Sequence, residues 1–317
     1  MGRWPKSTPA GVTAAGIIVA MIDAPIAPTN PSRHAWIFGG SGQIGERVLQ
    51  RLQVAGWRIE AWSRQARAPA PGLQWNRGGL DEAGPPPPSV DTIFSCGPLD
   101  HFARWYEARP ALAARVVAFG STSIAVKAGS EDDAERDVAR RLAEAETRLF
   151  ETAAARGVAA TVLRPTLVYG AGRDATLTRI AAMARGPGLF VLPRSANGLR
   201  QPVHVEDLAD AALAVLDPPE TAGRSYALGG GEILRYDQMV ARVLSALSPP
   251  PRLLRVPTPL FAVTLRAAHA TGRLRGLTTA ALQRMGDDLV FDLAPARQDF
   301  GYAPRVFAPT AAELGLD

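Results

Sequence analysis

The chain has 317 residues, of which 47% are hydrophobic and 21% charged, a composition typical of globular proteins that bury a core. Its net charge of +5 does not indicate nucleic-acid binding, because arginines and acids are interspersed and no basic stripe carries aromatic residues. A single cysteine, Cys96, excludes an internal disulfide, and the four histidines stand at no metal-ligand spacing. We therefore expect no metal site and no nucleic-acid partner.

Residues 1–33 are expected to form a flexible extension outside the fold. Arg3 and Lys6 precede a short apolar run that ends near Met21, which has the outline of a secretory signal but is interrupted by Asp23. A flexible tail and a start at Met21 are the alternatives. The apolar run is too short to span a bilayer.

From residue 34 onward, short apolar runs alternate with helical patterns, and this alternation predicts a parallel sheet covered on both faces. The run Gly84–Pro88 predicts a surface loop, because proline cannot continue a strand ladder. The predicted strands are Ala35–Phe38, Arg58–Trp62, Leu73–Trp75, Asp91–Ser95, Arg115–Phe119 and Thr161–Leu163, and the clearest helices between them are Gln43–Ala55 and Asp132–Ala155. The predicted fold class is therefore α/β, with a doubly wound Rossmann sheet in residues 34–165.

Residues 166–317 are less regular and predict a smaller substrate lobe over the carboxyl ends of the strands, with some segments returning to the sheet. Predicted helices there are Asp174–Arg185, Glu206–Leu216, Tyr236–Leu247 and Pro259–Ala270. The last of these is apolar but carries Arg266 and His269, which favours an amphipathic packing helix and leaves a peripheral membrane contact open.

The turn Gly39-Gly40-Ser41-Gly42-Gln43-Ile44-Gly45 follows the first strand and opens the first helix. Its glycines permit a tight turn, close approach of a diphosphate and close helix–strand packing, in that order. The amides at the helix start then bind the diphosphate. This motif predicts a dinucleotide site. Further cofactor contacts are expected from Leu80, Cys96, Gly97 and Pro165, which follow or end other strands.

The end of the second strand distinguishes NAD from NADP. An acidic residue is expected there for a free ribose 2′-hydroxyl, but the chain has Ser63 and Arg64. Serine can hydrogen-bond a 2′-phosphate and arginine can pair with it. NADP(H) is therefore favoured over NAD(H). An enzyme that uses such a dinucleotide finds it in the cytoplasm, and we expect that location.

Several segments together resemble the extended short-chain dehydrogenase/reductases, the superfamily of NAD-dependent epimerase/dehydratases acting on nucleotide sugars. The likeness runs from about residue 34 to 308. It rests on the glycine turn and on the segments Phe119–Ser123, Leu163–Gly170, Gln201–Ala209 and Phe300–Arg305. The resemblance implies a small-molecule substrate, a possible homodimer and a catalytic hydroxyl at Thr122. It also implies substrate contacts from Ser123 and from Arg200, which would bind a substrate phosphate.

The chain departs from this family at the tyrosine and lysine that carry proton transfer. Counting back from Glu146, they fall on Val138 and Leu142, which cannot exchange protons. Tyr169 is a candidate replacement, together with Thr122 or a water molecule. The expected function is thus an oxidoreductase or epimerase-like enzyme acting on a nucleotide-linked or phosphorylated molecule. The alternative is a non-catalytic dinucleotide-binding sensor or accessory subunit, which needs no proton donor.

Overall fold

The computed structural model describes residues 1–2, 33–84, 90–110, 113–186, 188–270 and 279–316. The signal-like extension and the proline run therefore lie almost wholly outside the described residues. The side chains of residues 264, 266–270 and 279–282 also lie outside the description. The prediction that Arg266 and His269 make this helix amphipathic is therefore untested.

The main sheet has seven parallel strands in the order β11-β6-β5-β4-β1-β2-β3. These strands are β1 (His34–Phe38), β2 (Arg58–Ser63), β3 (Leu73–Arg77), β4 (Thr92–Ser95), β5 (Arg115–Phe119), β6 (Ala159–Pro165) and β11 (Arg224–Leu228). All six predicted strands are present, and β1, β4 and β5 are buried along their whole length because helices cover both faces. The predicted fold class is confirmed.

The strand order reverses between β1 and β4, which is where ligands bind in sheets of this type. On one face, helix α1 (Gln43–Val54) packs against α6 (Val205–Ala214). On the other, α2 (Leu99–Ala108) packs against α4 (Asp133–Ala155), and Asp132 caps α4 by accepting a hydrogen bond from the amide of Ala134. The sequence analysis did not predict α2.

The second half of the chain contributes both to the sheet and to a separate cluster of buried residues. Strand β11 joins the main sheet and α6 covers it. The remaining segments are the short strands β7 (Val168–Tyr169), β8 (Leu189–Pro193), β9 (Leu199–Arg200), β10 (Val203–His204), β12 (Leu234–Arg235) and β13 (Arg252–Val256), and the helices α3 (Ser123–Val126), α5 (Leu177–Ala184), α7 (Tyr236–Ser245), α8 (Thr258–Ala270), α9 (Thr279–Gly286) and α10 (Ala294–Phe300). Strands β7 with β10, β8 with β13, and β9 with β12 form three two-stranded ribbons. The predicted boundary at residue 165 remains a prediction.

A buried carboxylate connects the two halves at the sheet edge. Glu146 on α4 pairs with Arg164 on β6, with 2.8 Å between Nε and Oε1, and accepts a hydrogen bond of 3.0 Å from the hydroxyl of Ser225 on β11. Because Glu146 is almost fully buried, these partners supply the interactions that water would otherwise give its charge. The glutamate used as a sequence landmark therefore has a structural role.

Candidate functional site

The turn between β1 and α1 has a backbone shape that only glycine permits at two positions. Gly39 has a φ of +72°, and a Cβ there would lie 2.7 Å from the carbonyl carbon of Cys96 on the neighbouring strand. At Gly45 a Cβ would lie 2.8 Å from the Cα of Gly40, so helix and turn could not approach as they do. The amide of Gly42 donates to the carbonyl of Gly39 over 2.9 Å, which closes the turn.

The start of α1 fits a bound diphosphate. Gly42 is the N-cap residue of α1, and no side chain caps the helix. The amides of the first turn have no intrahelical partner and lie at the turn formed by Ser41 to Ile44. Gly97, just beyond β4, faces open space, because a Cβ built there meets no atom within 4 Å. Gly97 and the glycine turn thus lie next to each other at the strand-order reversal, beside open space.

Arg173 is a residue that the sequence analysis missed. It follows β7 in the chain, yet its guanidinium pairs with Glu46 on α1 over 2.7 Å and donates to the carbonyl oxygen of Ser41 over 3.4 Å. A positive charge therefore lies directly beside the glycine turn. No local pattern marks this arginine, because it approaches the turn only through the tertiary fold.

The end of β2 carries arginines and no carboxylate. Ser63 is buried and its hydroxyl accepts a hydrogen bond from the amide of Gln65, whereas Arg64 is exposed and forms no ion pair with any described residue. Arg67 lies over the ring of Trp75 at 5.2 Å, and Arg77 on β3 is in register with Ser63. Arg67 also pairs with Glu46 on α1, with 3.6 Å between Nη1 and Oε1.

Three hydroxyls follow β5, where the family places its catalytic serine or threonine. Thr122 is buried and donates to the carbonyl of Pro165 over 3.1 Å. The hydroxyl of Ser121 donates to that of Ser123 over 3.0 Å and accepts from the Ser123 amide. The hydroxyl of Ser123 accepts this bond, and no described residue accepts a hydrogen bond from it. The predicted contacts Thr122, Ser123 and Pro165 thus lie side by side.

The other two predicted cofactor contacts differ in environment. Cys96, at the end of β4, packs against the core on the α1 face, and burial raises the pKa of its thiol to about 12. It therefore stays protonated and apolar at neutral pH. Leu80 is half-buried against the core on the α2–α4 face.

Helix α4 presents no phenol and no amine at the expected positions. Val138 and Leu142 are half-buried, and Leu142 packs against the core. One turn earlier, Glu135 accepts from the hydroxyl of Ser130 over 2.8 Å, pairs with Arg284, and lies 3.9 Å from the amine of Lys127. This charged group is a second feature that sequence reasoning missed, because Arg284 lies 149 residues away in the chain.

Tyr169 is not available as a proton donor, which corrects the sequence-based expectation. Its side chain is only 1% exposed and packs edge-on against the rings of His204 and Phe307, at 4.9 Å from each. Burial raises its pKa to about 12. A phenol held in this core cannot reach a substrate, so we do not retain Tyr169 as a catalytic candidate.

A cavity of about 790 Å³ lies between Thr122 and the segments of the second half. Its polar lining comes from Thr122, Thr166, Thr176, Gln201, Tyr236 and three arginines, Arg179, Arg200 and Arg284. Most of the wall is apolar: Val126, Leu167, Ala175, Ile180, Met183, Leu189, Phe190, Val191, Leu192, Leu254, Val256, Leu260, Phe261, Leu265, Met285, Leu289 and Phe291. The cavity therefore suits a ligand with a large apolar part.

Arg200 is the buried cation of this cavity. It is 6% exposed, lies over the ring of Tyr236 at 5.1 Å, and donates to the carbonyls of Leu199 and Asp287 over 2.8 and 2.7 Å. No described carboxylate lies within ion-pair distance, and burial lowers the pKa of the guanidinium from its ordinary value. A ligand anion would compensate this charge.

Two kinds of site are not found in the described ranges. No helix there has the length and hydropathy required to cross a bilayer. Likewise, no group of three histidine, cysteine or carboxylate side chains among those residues could hold a metal ion.

The parallel sheet, its glycine turn and the space beyond β4 define a Rossmann-type dinucleotide-binding protein. A sequence model described as the NAD dependent epimerase/dehydratase family matches residues 109–229. The match covers less than half of the chain, and match and fold together support the resemblance to the extended short-chain dehydrogenase/reductases. The family is NAD-dependent by its description, which supports a nicotinamide dinucleotide as the cofactor class.

Two relatives and one solved structure are similar to this chain. A 2-alkyl-3-oxoalkanoate reductase of Stenotrophomonas maltophilia is 29% identical over 166 residues, 47% of this chain and 48% of that protein. Another, from Shewanella oneidensis, is 22% identical over 321 aligned positions, covering 86% and 83% of the two chains. The structure of MoeE5 in complex with UDP-glucose and NAD superposes with a TM-score of 0.62 at 18% identity, covering 89% of this chain and 97% of that one.

The extent of these matches limits what they show. The chain spans about half the length of the first relative, and the likeness to the solved structure shows the fold alone. Substrate and activity must therefore be argued from the site.

Proposed function

We propose that this protein is an NADP(H)-dependent oxidoreductase that interconverts a carbonyl and a hydroxyl group on a substrate with a large apolar part. The cavity carries this proposal, because one continuous space is lined by Thr122, the chain neighbour of Ser123, and by apolar side chains over most of the rest. A sugar would leave its hydroxyl groups without partners against such a wall. An alkyl chain would fill the same space favourably.

The names of the relatives agree with this choice. Both reductases act, by name, on 2-alkyl-3-oxoalkanoates, which combine alkyl chains, a ketone and a carboxylate. We propose a substrate of similar chemistry for this chain. Its anionic group would lie at Arg200, the buried cavity cation that has carbonyl partners but no described carboxylate.

The chain's own residues would bind and orient the reactants. When bound, the nicotinamide supplies or accepts the hydride. The first-turn amides of α1 would hold the diphosphate, and the hydroxyl of Ser123 would donate a hydrogen bond to the substrate oxygen. Thr122 is committed to the carbonyl of Pro165, which fixes the loop that carries this serine. Water would supply the net proton, because Val138, which stands at the position of the family tyrosine, has no proton to give.

The missing tyrosine and lysine predict slow turnover. General acid–base catalysis contributes about a hundredfold to ten-thousandfold to enzyme rates, and this protein must react without the usual donor.

We propose NADP(H) over NAD(H) because Arg64 is exposed and unpaired within the described ranges and no carboxylate ends β2. A cytoplasmic location and a homodimer stay predictions.

Two other functions have an observation in their favour. A nucleotide-linked substrate is supported by the structural neighbour solved with UDP-glucose, and Arg200 could hold its phosphate. A non-catalytic sensor or accessory subunit is supported by Val138 and Leu142, which cannot take part in proton transfer. The same assay separates all three.

The test is NADPH oxidation by the purified full chain with 3-oxo acids of increasing alkyl length, alongside UDP-glucose. Burial of each methylene stabilises the bound substrate by about 0.8 kcal/mol, so kcat/KM should rise about fourfold per methylene until the cavity is full. A matched variant, Leu192→Asp, introduces charge into the cavity wall and should flatten this dependence.

Each outcome decides between the functions. Turnover of UDP-glucose with no alkyl-length dependence would refute the apolar substrate and favour the nucleotide-linked one. Tight NADPH binding without turnover of any compound would favour the sensor. No binding of either nicotinamide dinucleotide would refute all three.

A further inference from the structure

The positive charge of this chain is concentrated in two segments of its second half. Residues 175–194 and 249–286 contain nine arginines and no aspartate, glutamate or lysine. Since the whole chain carries +5, the remaining residues carry a net charge of −4. The expectation that arginines and acids are interspersed along the chain is therefore wrong for these two segments.

The same segments expose most of the large apolar side chains found on the surface. Met183, Leu189, Leu254, Leu260 and Val263 are between 39% and 60% exposed, and the first four also line the apolar cavity. Elsewhere in the described ranges, the exposed large apolar side chains are those of Met1, Val54, Ile233 and Val306. We call the five clustered residues the apolar rim.

Arginines lie directly beside the apolar rim. In the β8–β13 ribbon, Arg252 is the register partner of Leu189, and Leu254 follows two residues later on the same face. On α5, Arg179 precedes Met183 by one helical turn. Both arginines are exposed, and neither has an ion-pair partner among the described residues.

Nearby acids neutralise little of this surface. Asp237 pairs with Arg255 and Arg235, so Arg255 is compensated. Asp174, just before the first segment, is buried and accepts hydrogen bonds from the amides at the start of α5. The charges of Arg179 and Arg252 remain available to a partner.

We propose that this face docks on an anionic lipid bilayer, with the apolar rim entering the interface and the arginines contacting lipid headgroups. Alternating arginine and aliphatic side chains match a surface that is negative outside and apolar below. Nucleic acid fits less well, because the apolar rim offers no exposed aromatic ring for base stacking. The cavity opens at the apolar rim, so an apolar ligand could pass between bilayer and protein without crossing water.

This proposal concerns peripheral binding and does not depend on catalysis. The test is flotation of the purified full chain with phosphatidylcholine vesicles, with and without phosphatidylglycerol. We expect binding only with the anionic lipid, and weaker binding as salt rises. Each arginine near such a surface contributes about a fivefold change in partitioning, so Arg179→Gln/Arg252→Gln should lower it about 25-fold.

A matched pair of double variants separates the apolar rim from general surface effects. Leu260 and Val263 are 53% and 60% exposed, and Ile233 and Val306, outside the two segments, are 51% and 61% exposed. Leu260→Asp/Val263→Asp should abolish flotation, whereas Ile233→Asp/Val306→Asp should retain it. Thermal melting of each variant shows that folding is intact, and the salt dependence of the wild-type chain tests the proposal without any variant.

Several results would overturn the proposal. These are equal binding to neutral vesicles, equal loss in both double variants, or no flotation at all. Sedimentation that shows a dimer abolished by Leu260→Asp/Val263→Asp, without vesicle binding, would assign the face to a second copy of the chain. Binding of single-stranded RNA without vesicle binding would assign it to nucleic acid.

Discussion

Gly97 provides a test that separates a ligand site from a structural glycine. A Cβ built at Gly97 meets no protein atom within 4 Å, and its φ lies outside the left-handed region. The folded protein should therefore accept alanine there. Because alanine restricts the unfolded chain, Gly97→Ala should stabilise folding by about 0.4–1 kcal/mol and raise Tm by about 1–4 °C.

The same methyl group should impair cofactor binding. We place the dinucleotide in the open space beside Gly97. An extra methyl in a filled space costs about 1–3 kcal/mol, so the Kd for NADPH should rise about fivefold to 150-fold. A substitution that stabilises the fold and weakens cofactor binding indicates that the residue lies beside the bound ligand. Substitution of a residue needed only for the fold would not change folding stability and cofactor affinity in opposite directions.

The assay is isothermal titration with NADPH together with thermal melting of the same samples. Gly129→Ala is the matched control, because a Cβ there also meets nothing within 4 Å and lies in the loop after α3. It should raise Tm similarly and leave the Kd unchanged. An unchanged Kd in Gly97→Ala would refute the cofactor path drawn past β4.

Three further predictions concern single side chains. Arg64→Ala should weaken NADPH binding about tenfold in titrations and leave NADH binding unchanged, because only the 2′-phosphate would lose a charged partner; equal losses would remove the basis for NADP. Tyr169→Phe should leave the pH dependence of turnover unchanged, because its buried hydroxyl does not reach the substrate. A fall in kcat would restore its catalytic role. The Cys96 thiol, with its pKa raised to about 12, should react with iodoacetamide at neutral pH about a thousandfold slower than in the unfolded chain. The stability from keeping this thiol neutral should be lost as pH rises above 9, and fast alkylation of the native protein would contradict its burial.

The sequence alone determined the fold class, because its evidence is local. Continuous apolar runs, helical periodicity and the glycine turn are each readable within a few residues, and all six predicted strands are present. The absence of an acid after β2 and of tyrosine and lysine in α4 is equally local.

Other features were decided only by the tertiary structure, because they join residues far apart in the chain. Tyr169 occupies a motif position typical of the family, yet packing against His204 and Phe307 removes it from the site. Arg173 reaches the glycine turn across 132 residues. The apolar cavity is assembled from segments between residues 122 and 291, each unremarkable alone. Sequence patterns report which face of an element is buried, whereas a binding site depends on which faces meet, and that is fixed only when the chain packs.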